Sequence, residues 1–139
     1  MFTVAAVPFT INVVGEVTGE SYVGTFKVKP VLNHNEQLTR DALRREYLSR
    51  GPEQEKATVR AQNVAAILAE INVRIAPGTD AAPTAPTWWK ESDGGLNLYD
   101  DDVIAEIQDQ ISKIDKKFKA EVQEKQRAAK EELEKLAPK

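Results

Sequence analysis

The sequence predicts an α+β protein: an N-terminal antiparallel β-hairpin, two central helices, an extended Pro/Ala linker and one long C-terminal helix. Three observations carry this. Apolar and polar residues alternate over the first 30 residues, an apolar stripe at spacings of four and three runs to Ile75, and Asp101 to Leu136 holds neither Gly nor Pro. The chain divides accordingly into 1–75, a hairpin plus two-helix domain, 76–100, an extended linker with a Trp-Trp anchor, and 101–139, a long helix with a charged distal half.

In the hairpin, Ile11, Val13 and Val17 alternate with polar residues, Thr18-Gly19-Glu20-Ser21 marks the turn, and Tyr22, Gly24, Phe26 and Val28 resume the alternation. Thr25, Lys27 and Lys29 fall on the opposite, wet face. Pro8 marks the first strand as an edge or as broken there. A lone hairpin is marginal in water, so helices or a neighbouring chain must cover it. Asn33 or Asn35 can cap a helix starting near Glu36, with Leu38, Ala42 or Leu43, and Tyr47 on its inner side and Gly51-Pro52 as its stop. The next helix spans about Glu53 to Ile75, and Ala57, Ala61, Val64, Leu68, Ile71 and Ile75 form its stripe. Ala76 to Thr87, with three prolines, reads as a semi-stiff linker. Trp88-Trp89 and the turn Ser92 to Gly95 follow, then Asp100 to Asp102, carboxylates placed to cap the long helix and complement its dipole. That helix carries Ile104, Ile107, Ile111, Ile114 and Phe118 on one face and then turns mostly to charge. At about 50 Å it is longer than a domain of this size is wide, so its distal turns are expected to project and touch something else.

Composition narrows the function. Net charge is -3, which disfavours nonspecific nucleic-acid binding. Glu91 to Asp109 holds seven acidic side chains and no basic one, whereas from Asp115 onward eight Lys/Arg meet six Asp/Glu: an acidic neck before a slightly basic tail. With no cysteine there is neither disulfide nor thiolate metal site. No stretch approaches a membrane span and the N-terminus does not read as a signal peptide, so action in a cytosol, or in a particle assembled there, is expected.

No catalytic, cofactor or metal site is expected. A calcium loop counted from Asp93 reaches Ile104 at its twelfth position, where an acidic ligand is needed. His34, the one histidine, stands in a polar turn between Asn33 and Asn35 with nothing to share a metal. No nucleophile elbow, phosphate loop or dinucleotide fingerprint appears.

The candidates are therefore partner-binding residues. Trp88 and Trp89 cannot easily share one face of a regular element, so one is expected in the core and the other near the surface, where tryptophan anchors interfaces. The competing reading is that both pin the linker. Arg44 and Arg45, with Arg50, form a basic cluster that can grip phosphate or an acidic partner, or pair with Asp41, Glu46 or the neck. Phe118 ends the greasy face, and Val122, Ala129, Leu133 and Leu136 leave a thin seam that can dock in a groove or against another copy. Pairs such as Glu121–Lys125 and Glu131–Lys135 can support the helix.

Three segments carry a resemblance: GEVTGESYVGTFKVKPVL, RDALRREYL with Gly51-Pro52, and APTWWKESDGGLNLYDDDVIAEI. Over about residues 10 to 115 the chain resembles small virion or tail-assembly proteins of tailed bacteriophages, including the tail assembly chaperones of long-tailed phages. The resemblance implies a non-enzymatic protein without cofactor. Its partners would be phage structural proteins (tail tube, tape-measure or capsid proteins), in the host cytoplasm during assembly or in the virion. A homo-oligomer through the sheet edge or the C-terminal helix is open. The expectation is a tail assembly chaperone. The alternatives are a minor head or tail component kept in the particle, and a nucleic-acid-processing accessory protein using Arg44, Arg45, Arg50 and the lysine-rich tail.

Overall fold

In the computed structural model, which describes residues 4–51 and 58–136, the alternation becomes a two-stranded antiparallel sheet. Strands β1 (Val7–Val14) and β2 (Ser21–Val28) pair from Val7↔Val28 to Val14↔Ser21. Phe9, Ile11, Tyr22, Phe26 and Val28 point inward, and the cross-strand pair Phe9–Phe26 stacks at 5.3 Å. Val17, expected to continue the first strand, lies instead in the turn and is 72% exposed. The turn bends back one residue after Val14, where the ladder ends with Gly15 N–H donating to Glu20 O at 2.9 Å.

Helix α1 (His34–Ser49) starts at a capping box: Asn33 Oδ1 accepts from Glu36 N, and Glu36 Oε1 accepts from Asn33 N, each at 2.9 Å. Glu36 also pairs with Lys29, and that ammonium, with the Asn33 amide, holds its carboxyl below the usual range. No α1 residue is fully buried. Leu43 and Tyr47 are half-buried, but Leu38, expected on the inner side, is 65% exposed. The helix leans mainly on α2 and therefore needs only a narrow apolar stripe.

Helix α2 (Val59–Arg74) begins at Thr58, whose hydroxyl accepts from Ala61 N at 3.1 Å, and not at Glu53; Ala57 and the rest of 52–57 lie outside the described residues. Its buried face is Ala65, Leu68, Ala69 and Ile71, rotated from the expected stripe, so that Val64 is left facing a groove. The 76–86 linker does not lead away from the domain. It folds along β2: Lys27 N donates to Thr84 O and Ala76 N to Lys27 O, each at 2.9 Å, while Ile75 bridges Val28. Gly24 makes the approach possible, since any Cβ there would overlap the Pro86 ring. A short helix α3 (Thr87–Glu91) then carries the two tryptophans.

Helix α4 (Asp101–Leu136) runs 36 residues, about 54 Å. Val103, Ile107 and Ile111 are buried, Ile104, Ile114 and Phe118 half-buried, and every residue from Lys119 to Leu136 is exposed. The core thus draws on all three segments: hairpin, α2, Ala85 and Trp89 of the linker region, and proximal α4. In the distal half, Arg127 joins Glu124 and Glu131, and the expected Glu121–Lys125 and Glu131–Lys135 pairs do not form. That half needs no nucleus of its own because it propagates from turns already held by the core. Deleting Lys119 to Lys139 is therefore expected to leave a cooperative thermal transition whose midpoint moves by no more than a few degrees; a scan of the truncated chain checks this.

Candidate partner-binding surfaces

The place where α4 leaves the hairpin is fixed by one carboxylate. The Asp100 side chain is fully buried and accepts four hydrogen bonds: from Val17 N at 2.8 Å, Thr18 N at 3.1 Å, the Thr18 hydroxyl at 2.5 Å and the Tyr22 hydroxyl at 2.8 Å. It occupies the space that a Cβ on residue 15 would fill, which explains Gly15. The Thr18 hydroxyl first, then the Tyr22 hydroxyl and the two backbone amides, pull its pKa from 3.8 down to about 2 against the opposing effect of burial. The same bond raises the Tyr22 phenol.

The three aspartates thus divide their work. Asp100 was expected to cap α4; instead its carbonyl accepts from Val103 N while its carboxylate clamps the hairpin turn. Asp101 and Asp102 stand in the first helical turn, where negative charge suits the dipole. Asp102 also takes the Glu16 amide at 3.3 Å, and Asp101 meets Arg60 at 3.3 Å on the surface.

Trp89 is a core residue, 2% exposed, and leaves no area for a partner. Its indole Nε1 donates to Asn72 Oδ1 at 2.9 Å. Trp88 is half-buried, edge-on to Tyr22 at 5.1 Å and to Phe26 at 5.9 Å, and its Nε1 donates to Val23 O at 3.1 Å. Both tryptophans pin the linker, and only the outer part of Trp88 remains accessible. Asn72 was missed by sequence reasoning. Its amide Nδ2 serves the Tyr47 hydroxyl at 3.0 Å and the carbonyls of Leu68 and Gly94 at 2.9 Å, so one side chain joins α1, α2, α3 and the following turn. The available signal was a polar amide inside the apolar half of α2. Arg74, also missed, binds Glu70 at 2.9 Å and Asp115 at 2.6 Å and ties α2 to α4.

The basic cluster separates. Arg50 pairs with Asp93 at 2.5 Å and Glu46 at 3.1 Å, and Arg40 takes Asp41 and Glu70. Asp41 and Glu46, two of the acids expected to neutralise Arg44 and Arg45, are therefore occupied, and both arginines stand exposed on α1 with no ion pair among the described residues. On α4, Phe118 borders a cavity of about 100 Å³ beside Val7, while Val122, Leu133 (69% exposed) and Leu136 (77% exposed) lie open along the distal half. The structure does not bring these residues together with Arg44, Arg45 or the tryptophans into one site. They form a projecting arm and, separately, a cationic spot on α1. His34 is exposed at the start of α1. Among the described residues, no group of three or more His, Cys, Asp or Glu side chains is arranged to hold a metal ion. Comparison with family models, curated proteins and solved structures finds no match to this chain.

Two outcomes follow from these contacts. Trp89→Ala is expected to cost about 3–5 kcal/mol of folding stability, measured by urea unfolding. A depressed carboxyl pKa contributes stability that is complete above its unfolded value and is lost as pH falls through its folded value. The difference in melting temperature between the wild type and Asp100→Asn should hold constant near neutrality and shrink as pH drops from 3.8 toward about 2; a difference independent of pH would remove the charge from the account.

Proposed function

We propose that this chain is a non-enzymatic assembly protein of a tailed bacteriophage, a tail assembly chaperone that binds tail tube or tape-measure protein in the host cytoplasm before it is built into the particle. The observation that supports this best is the distal half of α4, an arm of 18 residues from Lys119 to Leu136, exposed throughout, and about 27 Å long. Val122, Ala129, Leu133 and Leu136 recur at helical spacing along it, the pattern by which an amphipathic helix enters a groove on another protein. The ion pairs of Arg127 with Glu124 and Glu131 keep the arm soluble and contribute little to choosing a partner. The segmental resemblance to phage assembly proteins supplies the class of partner.

The test is capture of co-expressed tail tube and tape-measure proteins by the full chain and by the chain lacking Lys119 to Lys139. The truncated chain is expected to bind roughly tenfold more weakly or worse, a loss of about 1.4 kcal/mol or more. Mass spectrometry of purified particles should find almost none of the protein; many copies per particle would make it a virion component instead. Binding to DNA or RNA that falls steeply with salt and depends on Arg44 and Arg45 would move it to the nucleic-acid class.

A further inference from the structure

The hairpin has one unspent edge, and the register says which groups it offers. Gly15 and Glu20 form a hydrogen-bonded pair, so counting back by twos, Val13, Ile11, Phe9 and Val7 spend their backbone groups on β2. Pro8, Thr10, Asn12 and Val14 turn theirs outward. On β2 the outward side is occupied by the linker and α3: Lys27 N–H and C=O bond the linker, Val23 O accepts from Trp88, and Pro86 lies against Gly24. Along β1, no backbone partner is found for the outward groups among the described residues, and Thr10, Asn12 and Val14 are exposed. The usable stretch is closed at both ends. Pro8 has no N–H to give, and Glu16 N–H is already donated to Asp102. Between them stand Thr10, Asn12 and Val14, a set symmetric about Asn12. Exposed edges are ordinarily guarded by charge, yet the first 15 residues carry no Asp, Glu, Lys or Arg in a chain that is 29% charged.

Helix α4 repeats that symmetry in charge. It follows β1 from end to end: Asp102 meets Glu16 at the turn, and Lys117 and Phe118 flank Val7 at the other end. Its Gln108, Ile111, Ser112 and Asp115 face α2. The flank turned from α2 reads Asp102, Glu106, Gln110, Lys113, Lys117; Gln110 donates to Glu106 at 2.8 Å and Lys113 meets Asp109 at 3.1 Å on the exposed surface, and the flank's charge reverses about Gln110, as the free edge is centred on Asn12.

We propose that a second copy of this chain pairs on this edge, β1 against β1 in antiparallel register with Asn12 opposite Asn12 and Thr10 opposite Val14, forming one four-stranded sheet. Each of these pairs exchanges two backbone hydrogen bonds. The two-fold axis runs the α4 flanks antiparallel, so Asp102 and Glu106 of each copy lie toward Lys117 and Lys113 of the other. A foreign strand could use the edge but would have no reason to match the reversed charge beside it. The inference stands apart from the phage reading, because it is tested on the purified chain alone.

Sedimentation equilibrium of the full chain is expected to give a dimer at micromolar concentration, retained when Lys119 to Lys139 are deleted. Asn12→Pro removes the central outward N–H and no bond to β2; it should raise the dimer dissociation constant roughly tenfold or more while the chain still melts cooperatively. Because a strand proline can disturb the hairpin itself, α4 supplies an independent measurement. Glu106→Lys and Lys113→Glu should each weaken the dimer, and the double variant should restore it, since unlike charges again face each other. A wild type that stays monomeric, a dimer lost with the distal arm, a dimer indifferent to Asn12→Pro in a folded chain, or a double variant no tighter than the single ones would each overturn the proposal.

Discussion

A two-stranded sheet cannot keep its apolar face dry by itself, and the rest of this molecule is arranged around that constraint. Phe9, Ile11, Tyr22, Phe26 and Val28 all lie on one face, and none is more than 9% exposed. No single element of the chain is large enough to cover them. The cover is assembled from Leu68 and Ile71 of α2, Ala85 and Trp89 after the linker, and Val103, Ile107 and Ile111 of α4. Residues more than 75 apart must therefore meet, and the Asp100 carboxylate is the joint that brings the start of α4 onto the hairpin turn. Its four bonds are all to the segment 17–22, so both oxygens of the buried carboxylate have partners and the cost of burying the charge is offset.

The elements were legible because their signals are local. Period-two alternation gave the strands, a capping asparagine at 33 or 35 gave the start of α1 to within two residues, and the run free of Gly and Pro gave α4. What escaped was set by long-range contacts. Leu38 has the right spacing for an inner face, but α1 packs mainly on α2 and its narrow contact stripe leaves Leu38 in water. The linker has the composition of an extended spacer, but β2 offers unpaired backbone groups and Gly24 leaves room for Pro86, so the segment is held as a cover strip. Asp100 looked like a cap because it stands at the start of the long helix; its fate depended on where the Gly15–Thr18 turn would lie. Asn72 is one amide in an apolar stripe, and no local rule says that four segments will converge on it.

The two halves of α4 show how one element can serve both core and surface. The isoleucine seam continues only while there is a domain to face. After Phe118 Glu121, Lys125 and Glu132 break up that face among Val122, Ala129 and Leu136, and the helix persists through propagation and charge pairing. The exposed apolar residues that remain, Val122, Leu133 and Leu136, continue the seam thinly: Val122 and Leu136 stand 18 residues, five whole turns, beyond Ile104 and Phe118. They face the same way as the seam but lie beyond the domain, exposed, so that face is left open to a partner.

Edge pairing and the arm also fit each other geometrically. Helix α4 runs beside β1 from the turn end toward Val7, and the arm continues past Val7 in the same direction. An antiparallel β1–β1 pair sends the two arms out from opposite ends of one four-stranded sheet, where they cannot collide. A dimer of that shape holds two identical groove-binding helices at a fixed separation. On a partner that repeats along an axis, the second arm binds at a high local concentration once the first is seated, so weak individual docking by a thin seam of Val, Ala and Leu becomes strong joint retention. On a partner with one site the second arm contributes nothing. The sparse apolar content of the arm is thus the property that would let such a protein hold a repetitive target and release an isolated subunit.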